Sequence, residues 1–163
     1  EVAHQAPERI AGLALLGTNA RPETPEMRKL REGAITLFEQ GRSAEVLRAN
    51  VPFAFHRSRM RDTALTDRYL EIVLRAGDAQ LVRQNRAIIT RPDARTHLGQ
   101  LRCPVLVLCG DTDQLTPPAC SQEIAALLPQ ATLQIVPQCG HMLTMERPEV
   151  VTPALVAWLQ TLG

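Results

Sequence analysis

One stretch, residues 104–141, limits what this chain can fold into. Pro104 leads into the unbroken apolar run Val105-Leu106-Val107-Leu108-Cys109, which stops at Gly110. A run of that length, entered through a proline and closed by a glycine, suits a strand buried on both faces of a parallel sheet. A second apolar run, Ala131 to Val136, follows a short helical segment from Ser121 to Leu128 that Pro129 ends. Strand, helix and strand at this spacing form a right-handed crossover, so the two strands lie parallel and finish at the same edge of the sheet. Asp113, fixed in a turn ahead of Pro117-Pro118, and His141, delivered by Pro137-Gln138-Cys139-Gly140, are both expected at that edge. The fold class implied is α/β.

An aspartate and a histidine at neighbouring strand ends have a chemical use. A serine hydroxyl is a poor nucleophile at neutral pH and needs a base within hydrogen-bond reach, itself held in one tautomer by a buried acid. A turn-forming aspartate in Asp111-Thr112-Asp113 and a loop histidine each have an ordinary structural account taken singly. Together, with Gly110 and Gly140 shaping both turns, they point to an acid and a base. Asp111 competes with Asp113 for the acid. His4 and His97 have no comparable context.

Before residue 104 the chain reads as one further strand and a long helical segment. Glu1 to Ala6 has the character of the last turns of a helix, ended by Pro7-Glu8-Arg9, and Ile10 to Leu16 is an apolar run of strand length. From Glu23 to Gln100 the composition turns helical and arginine-rich. Thr24-Pro25-Glu26 gives an N-cap, a first-turn proline and a first-turn acid. Met27, Leu30, Ala34, Leu37 and Phe38 follow at spacings of three and four. Ser43 to Val51, Thr63 to Ala76 and Asp78 to Ile89 repeat the pattern, with Asp62 or Thr63 as a cap and Gly77-Asp78 as a break. Phe53, Phe55, His56, Tyr69, Asn85 and Arg86 are candidates to line a pocket, although apolar stripes of this kind equally describe helices packing on one another. The run His56-Arg57-Ser58-Arg59-Met60-Arg61 has the composition of a solvated turn, with an anion grip as the sharper alternative. A last helix, Pro148 to Leu162, carries Val150, Val151, Leu155, Trp158 and Leu159 on one stripe.

Gly110-x-x-Asp113 followed by Thr116-Pro117-Pro118, then Gly140-His141 ahead of Glu146-x-Pro148-Glu149, resembles the C-terminal portion of an α/β-hydrolase-fold enzyme. The resemblance runs from residue 1 to residue 163, with its motifs after Leu101. It implies a partial α/β-hydrolase fold: residues 1–22 and 101–163 as core, and 23–100 as a helical cap or lid inserted between strands. It also implies that Asp113 is the triad acid and His141 the base, since the family places the acid three residues after the glycine. Some relatives with an aspartate nucleophile carry their acid just after the strand equivalent to Ile10–Leu16, where this chain has Asn19 and no carboxylate before Glu23. The family orders its residues nucleophile, acid, histidine, with the nucleophile on a Gly-x-Ser-x-Gly elbow. The three serines, at 43, 58 and 121, are in no such setting; the nearest approach is Gly41-Arg42-Ser43-Ala44-Glu45, in a polar helical region. The resemblance is therefore to an acid-and-base half. The function implied is hydrolysis of an ester, lactone or related small acyl substrate once a nucleophile half is supplied, the alternative being a module that only folds or associates.

Composition narrows the rest. Forty-five per cent hydrophobic and 21% charged residues are ordinary for a globular domain. Net charge is +1, which gives no reason to invoke nucleic acid or an anionic membrane. No run of 18 apolar residues is present, so no membrane span is expected. Cysteines 103, 109, 120 and 139 lack paired Cys-x-x-Cys spacing, so neither zinc nor any other cofactor is called for. They read as reduced, packed thiols, from which a cytoplasmic location follows. The strand at Ile10–Leu16 is short and apolar with no lysine or proline to blunt an open edge. Self-association, or pairing with the absent N-terminal half, is the expected consequence.

Overall fold

The computed structural model describes residues 1–162. The chain divides into two compact units, one formed by Glu1–Ala20, Phe53–Arg59 and the chain from Ala94 onward, the other by Arg21–Pro52 and Met60–Asp93.

The first unit is built on a three-stranded parallel sheet in the order β1 (Leu13–Leu16), β2 (Val105–Gly110), β3 (Ala131–Val136). Pairing begins where it does because Pro104 has no N–H to contribute. Its carbonyl instead accepts from Leu13 N at 3.1 Å, and the ladder then runs Leu13 to Val105 through Leu16 to Leu108. The first strand is thus shorter than the apolar run that suggested it. Ile10 to Gly12 is a lead-in, and a Cβ at Gly12 would strike Trp158 and Leu162. β2 pairs with β3 from Val105–Ala131 to Gly110–Val136.

Every residue of β2 is buried. Side chains alternate across a strand, so the sheet has two apolar faces. Val105 and Val107 pack with Leu13, Leu15, Leu98, Leu101, Ile124 and Leu128 on one face. Leu106 and Leu108 pack with Leu16, Val136, Leu143, Val151 and Trp158 on the other. The first face is covered by α6 (Arg95–Leu98) and α7 (Pro118–Leu127), the second by α8 (Leu143–Glu146) and α9 (Pro148–Leu159). Both α6 and α8 are single turns, too short to show a periodicity in sequence. α7 starts at Pro118, three residues ahead of the expected Ser121, because a proline at a helix's first position loses nothing. α1 (Val2–Gln5) precedes the sheet.

The second unit is helical: α2 (Pro25–Glu39), α3 (Ser43–Ala54, its last two residues belonging to the sheet unit), α4 (Thr63–Arg75) and α5 (Asp78–Ile89). Thr24 Oγ1 accepts from Met27 N, and Asp62 Oδ1 from Leu65 N, so Asp62 and not Thr63 caps α4. Gly77, at φ 79°, breaks α4 from α5. Glu23, almost wholly buried at its side chain, is held by Arg31 and Arg91 at 2.8 and 3.0 Å. Composition placed residues 53–59 and 94–100 with this helical segment, but they cluster with the sheet. The cause for the first is hydrogen bonding: Ala54 O accepts from both His141 N and Met142 N. Among the described residues no helix is long and apolar enough to cross a membrane.

Leu108 has no exposed surface, so Leu108→Ala is expected to lower the unfolding free energy by about 2–5 kcal/mol in a urea titration. Leu159→Ala, at a side chain 56% exposed, should change it by less than about 0.5 kcal/mol.

Candidate active site

Three strands in parallel end at one edge, and each ends on a residue or turn that brings something to the same point. β2 finishes at Gly110 because nothing larger fits: a Cβ there would run into the Cys139 and Gly140 carbonyls. The loops after β2 and β3 are then stitched together. Asp111 N donates to Val136 O, while Thr112 N and Oγ1 both donate to Cys139 O. The Asp111 carboxylate accepts from Gln138 N at 2.9 Å and Cys139 N at 3.1 Å. Those bonds hold Gln138 at φ 52°, a left-handed conformation that non-glycine residues seldom adopt. Burial would push the Asp111 carboxyl up, but these two N–H donors outweigh it and leave it below its ordinary value. Asp111 is therefore committed to the turn and does not contact His141 as an acid would.

Asp113 does. Its Oδ2 lies 2.8 Å from His141 Nδ1, with the Asp113 side chain fully buried and His141 28% exposed. Oδ1 accepts from Leu115 N at 2.9 Å and Thr116 N at 2.8 Å, and Oδ2 also accepts from Thr116 Oγ1 at 2.8 Å. Burial alone would raise the Asp113 carboxyl, but the hydrogen bonds from His141 and Thr116 more than offset it and hold it below the usual carboxylate range. An ionised Asp113 makes Nδ1 the protonated ring nitrogen and leaves Nε2 as the acceptor. That is the tautomer a general base requires.

Two neighbours of this pair had no assigned role in the sequence. Gly17 follows β1 directly, with φ 56°, and its N donates to Leu108 O. A Cβ there would come within 3.1 Å of His141 Nδ1 and 3.2 Å of Asp113 Oδ2. The glycine closing the first apolar run was the available signal. Glu146, seen only as part of a helix-start motif, is 3% exposed, with Oε1 accepting from Gly140 N at 2.9 Å and Oε2 from His56 N at 2.7 Å. It ties the loop carrying His141 to residues 54–56. Burial raises its carboxyl above the ordinary value despite those donors. Cys139, buried behind the same loop, is pushed up to about 12 by burial and by Glu146, and so is a packing thiol.

Of the suggested pocket residues, Phe55 and His56 line a cavity of about 400 Å3 together with Arg57, Thr112, Asp113 and Gln114. The others do not line it. Phe53 is half exposed, and Tyr69 is buried in the helical unit beside Asn50. Asn85 bonds Arg31 and the Leu81 carbonyl, and Arg86 pairs with Glu39. His4 and His97 stack on each other at 4.0 Å, away from the pair. Among the described residues no group of three or more His, Cys, Asp or Glu is placed to hold a metal ion.

Two stability measurements test this arrangement. Because the folded Asp113 pKa is depressed, its contribution is present above the unfolded carboxylate range near pH ~4 and lost as pH falls through the folded value. Asp113→Asn should therefore flatten the acid limb of stability against pH. Glu146→Ala strips a partner from two backbone N–H groups and should cost at least about 2 kcal/mol of unfolding free energy. Glu146→Gln, which keeps one acceptor oxygen, should cost less.

The comparisons with known proteins bear on the fold. The family model for the alpha/beta hydrolase fold matches residues 1–148. RutD, a candidate carbamate hydrolase of Escherichia coli K12, is 35% identical over 86 residues, which is 53% of this chain and 32% of RutD. A thermophilic esterase from Thermogutta terrifontis superposes with a TM-score of 0.92 at 29% identity, over 98% of this chain and 59% of the esterase. The enol-lactonase of Burkholderia xenovorans LB400 gives 0.86 at 22%, over 98% of this chain and 60% of that one, a likeness of fold. The chain thus spans about a third of the curated relative and about six tenths of the solved ones. With a match over residues 1–148 and a parallel sheet that gathers Asp113 and His141 at one edge, the chain belongs to the alpha/beta hydrolase fold family.

Proposed function

We propose that Asp113 and His141 are the acid and base of a serine-hydrolase triad, acting on a small ester, lactone or related acyl substrate with a nucleophile that lies outside these 163 residues. The observation that carries this reading is the 2.8 Å contact between a fully buried Asp113 and His141 Nδ1. In that state His141 Nε2 takes the proton of an attacking hydroxyl and later returns it to the leaving group, while Asp113 stabilises the imidazolium formed between the two steps. The esterase and carbamate-hydrolase names of the relatives support attack at an acyl carbon.

The open side of β1 supports a way for the nucleophile segment to join. Among the described residues β1 pairs only with β2, so its other side offers free backbone donors and acceptors. Beside it lies an apolar cavity of about 320 Å3 lined by Leu13, Leu15, Leu98, Leu101 and Ile124 among others. An open, uncharged edge next to an apolar hollow is completed by an added strand. The strand bearing the nucleophile is the occupant this reading assigns.

A chimera tests both parts. The segment of the Thermogutta terrifontis esterase that this chain does not cover is to be joined ahead of residue 1, or supplied as a separate chain, and hydrolysis of a p-nitrophenyl ester measured. Turnover is expected, and His141→Ala should reduce it roughly 10^4-fold with the fold retained. The 163-residue chain alone should give no burst and no stoichiometric labelling by a serine-directed fluorophosphonate; labelling would place the nucleophile within it. In dilute sedimentation the chain should bind the supplied segment. A monomer indifferent to that segment would remove the edge from the reading.

A further inference from the structure

The Asp113 carboxylate has more donors than an orienting acid needs. Oδ1 takes the N–H groups of Leu115 and Thr116 within its own turn, which fixes the carboxylate at one oxygen. Oδ2 is left for His141, yet it also takes the Thr116 hydroxyl at the same 2.8 Å distance. That hydroxyl lies 3.3 Å from His141 Nδ1, close enough to interact with the ring as well as with the acid. Thr116 thus touches both members of the pair, and the turn does not require its side chain.

We propose that Thr116 is a positioning residue of the Asp113–His141 pair, its hydroxyl sharing Oδ2 with the ring and so setting the strength and direction of the bond that orients His141. This rests on the dyad reading above. With Nδ1 protonated, the Thr116 hydroxyl has one acceptor to choose, Oδ2, and its donation there does two things. It removes the lone pair through which the carboxylate could tilt away from the ring, and it draws charge from the oxygen that faces Nδ1–H. Bonds to an ionised acceptor are strong because of its charge, and two donors on one oxygen compete for that charge, so each bond is weaker than it would be alone. The orienting acid is thereby held in place without gripping the imidazole at full strength. Leucine or valine at 116 would preserve the turn's backbone bonds and lose this control.

Ring-nitrogen and side-chain carboxyl NMR of the 163-residue chain tests the proposal without any turnover. The His141 Nδ1 proton is assigned by its loss in His141→Gln, and Asp113→Asn must abolish or strongly shift it upfield. If Asp113→Asn leaves it unchanged, the dyad reading itself fails. Given that dependence, Thr116→Val should move the Nδ1 proton downfield, since Oδ2 is no longer shared, and should shift the Asp113 carboxyl titration upward, since a donor to the charged form is lost. Thr116→Ser, which restores the hydroxyl, should return both signals toward wild type. Thr116→Ala should reproduce the valine shifts, so a valine variant that fails to fold does not spare the proposal. An Asp113-dependent Nδ1 proton that neither Thr116→Val nor Thr116→Ala moves would overturn the role of Thr116 and leave the dyad standing.

Discussion

The site depends on a parallel ladder that stops at a place where no side chain fits. β2 is buried along its whole length, and at Gly110 its backbone meets the carbonyls of Cys139 and Gly140 from the neighbouring loop. That contact sets the separation of the two loops at the sheet's edge. Asp111 and Thr112 then bind the β3 loop through backbone N–H and carbonyl groups, which leaves the next acidic residue, Asp113, to turn inward. The division of labour between two aspartates two positions apart follows from electrostatics. Asp111 stays partly in solvent and serves backbone donors, while Asp113 is buried and collects four hydrogen bonds that keep it charged there.

A second carboxylate supports the first from a distance. Glu146 holds Gly140 and His56 at once, so the backbone position of His141 depends on two separated stretches of chain. Gly140 permits this because a Cβ would press on His56 N and the Phe55 carbonyl carbon, each at 2.7 Å. Buried polar groups are acceptable only when their partners are complete. The loop that carries the histidine meets that condition by pairing its backbone groups with the Asp111 carboxylate, the Thr112 hydroxyl and Glu146.

The sheet and the pair were legible in sequence because their signals are local. Val105–Cys109 is an apolar run at strand length, and Gly110-x-x-Asp113 and Gly140-His141 each mark a turn within a few residues of a strand. Glu146 was not legible, because its partners include His56, ninety residues away, and nothing at either position signals the other. Thr116 was visible only as a letter in a motif, since its function lies in the direction of one hydroxyl. Apolar periodicity named Tyr69 among pocket candidates, but a stripe that fills a helical core and one that lines a pocket have the same spacing. The single turns α6 and α8 are below the length at which periodicity exists.

Gly17 constrains the routes open to this fold as its sequence drifts. Its missing side chain is the space in which the Asp113 carboxylate and the His141 ring meet, and its φ is one that few other residues tolerate. A lineage moving a carboxylate from the end of β2 to position 17 would, in an intermediate holding both, crowd the pair and set a like charge beside Asp113. The end of β1 and the end of β2 therefore compete as addresses for an acid, since both face the same histidine ring.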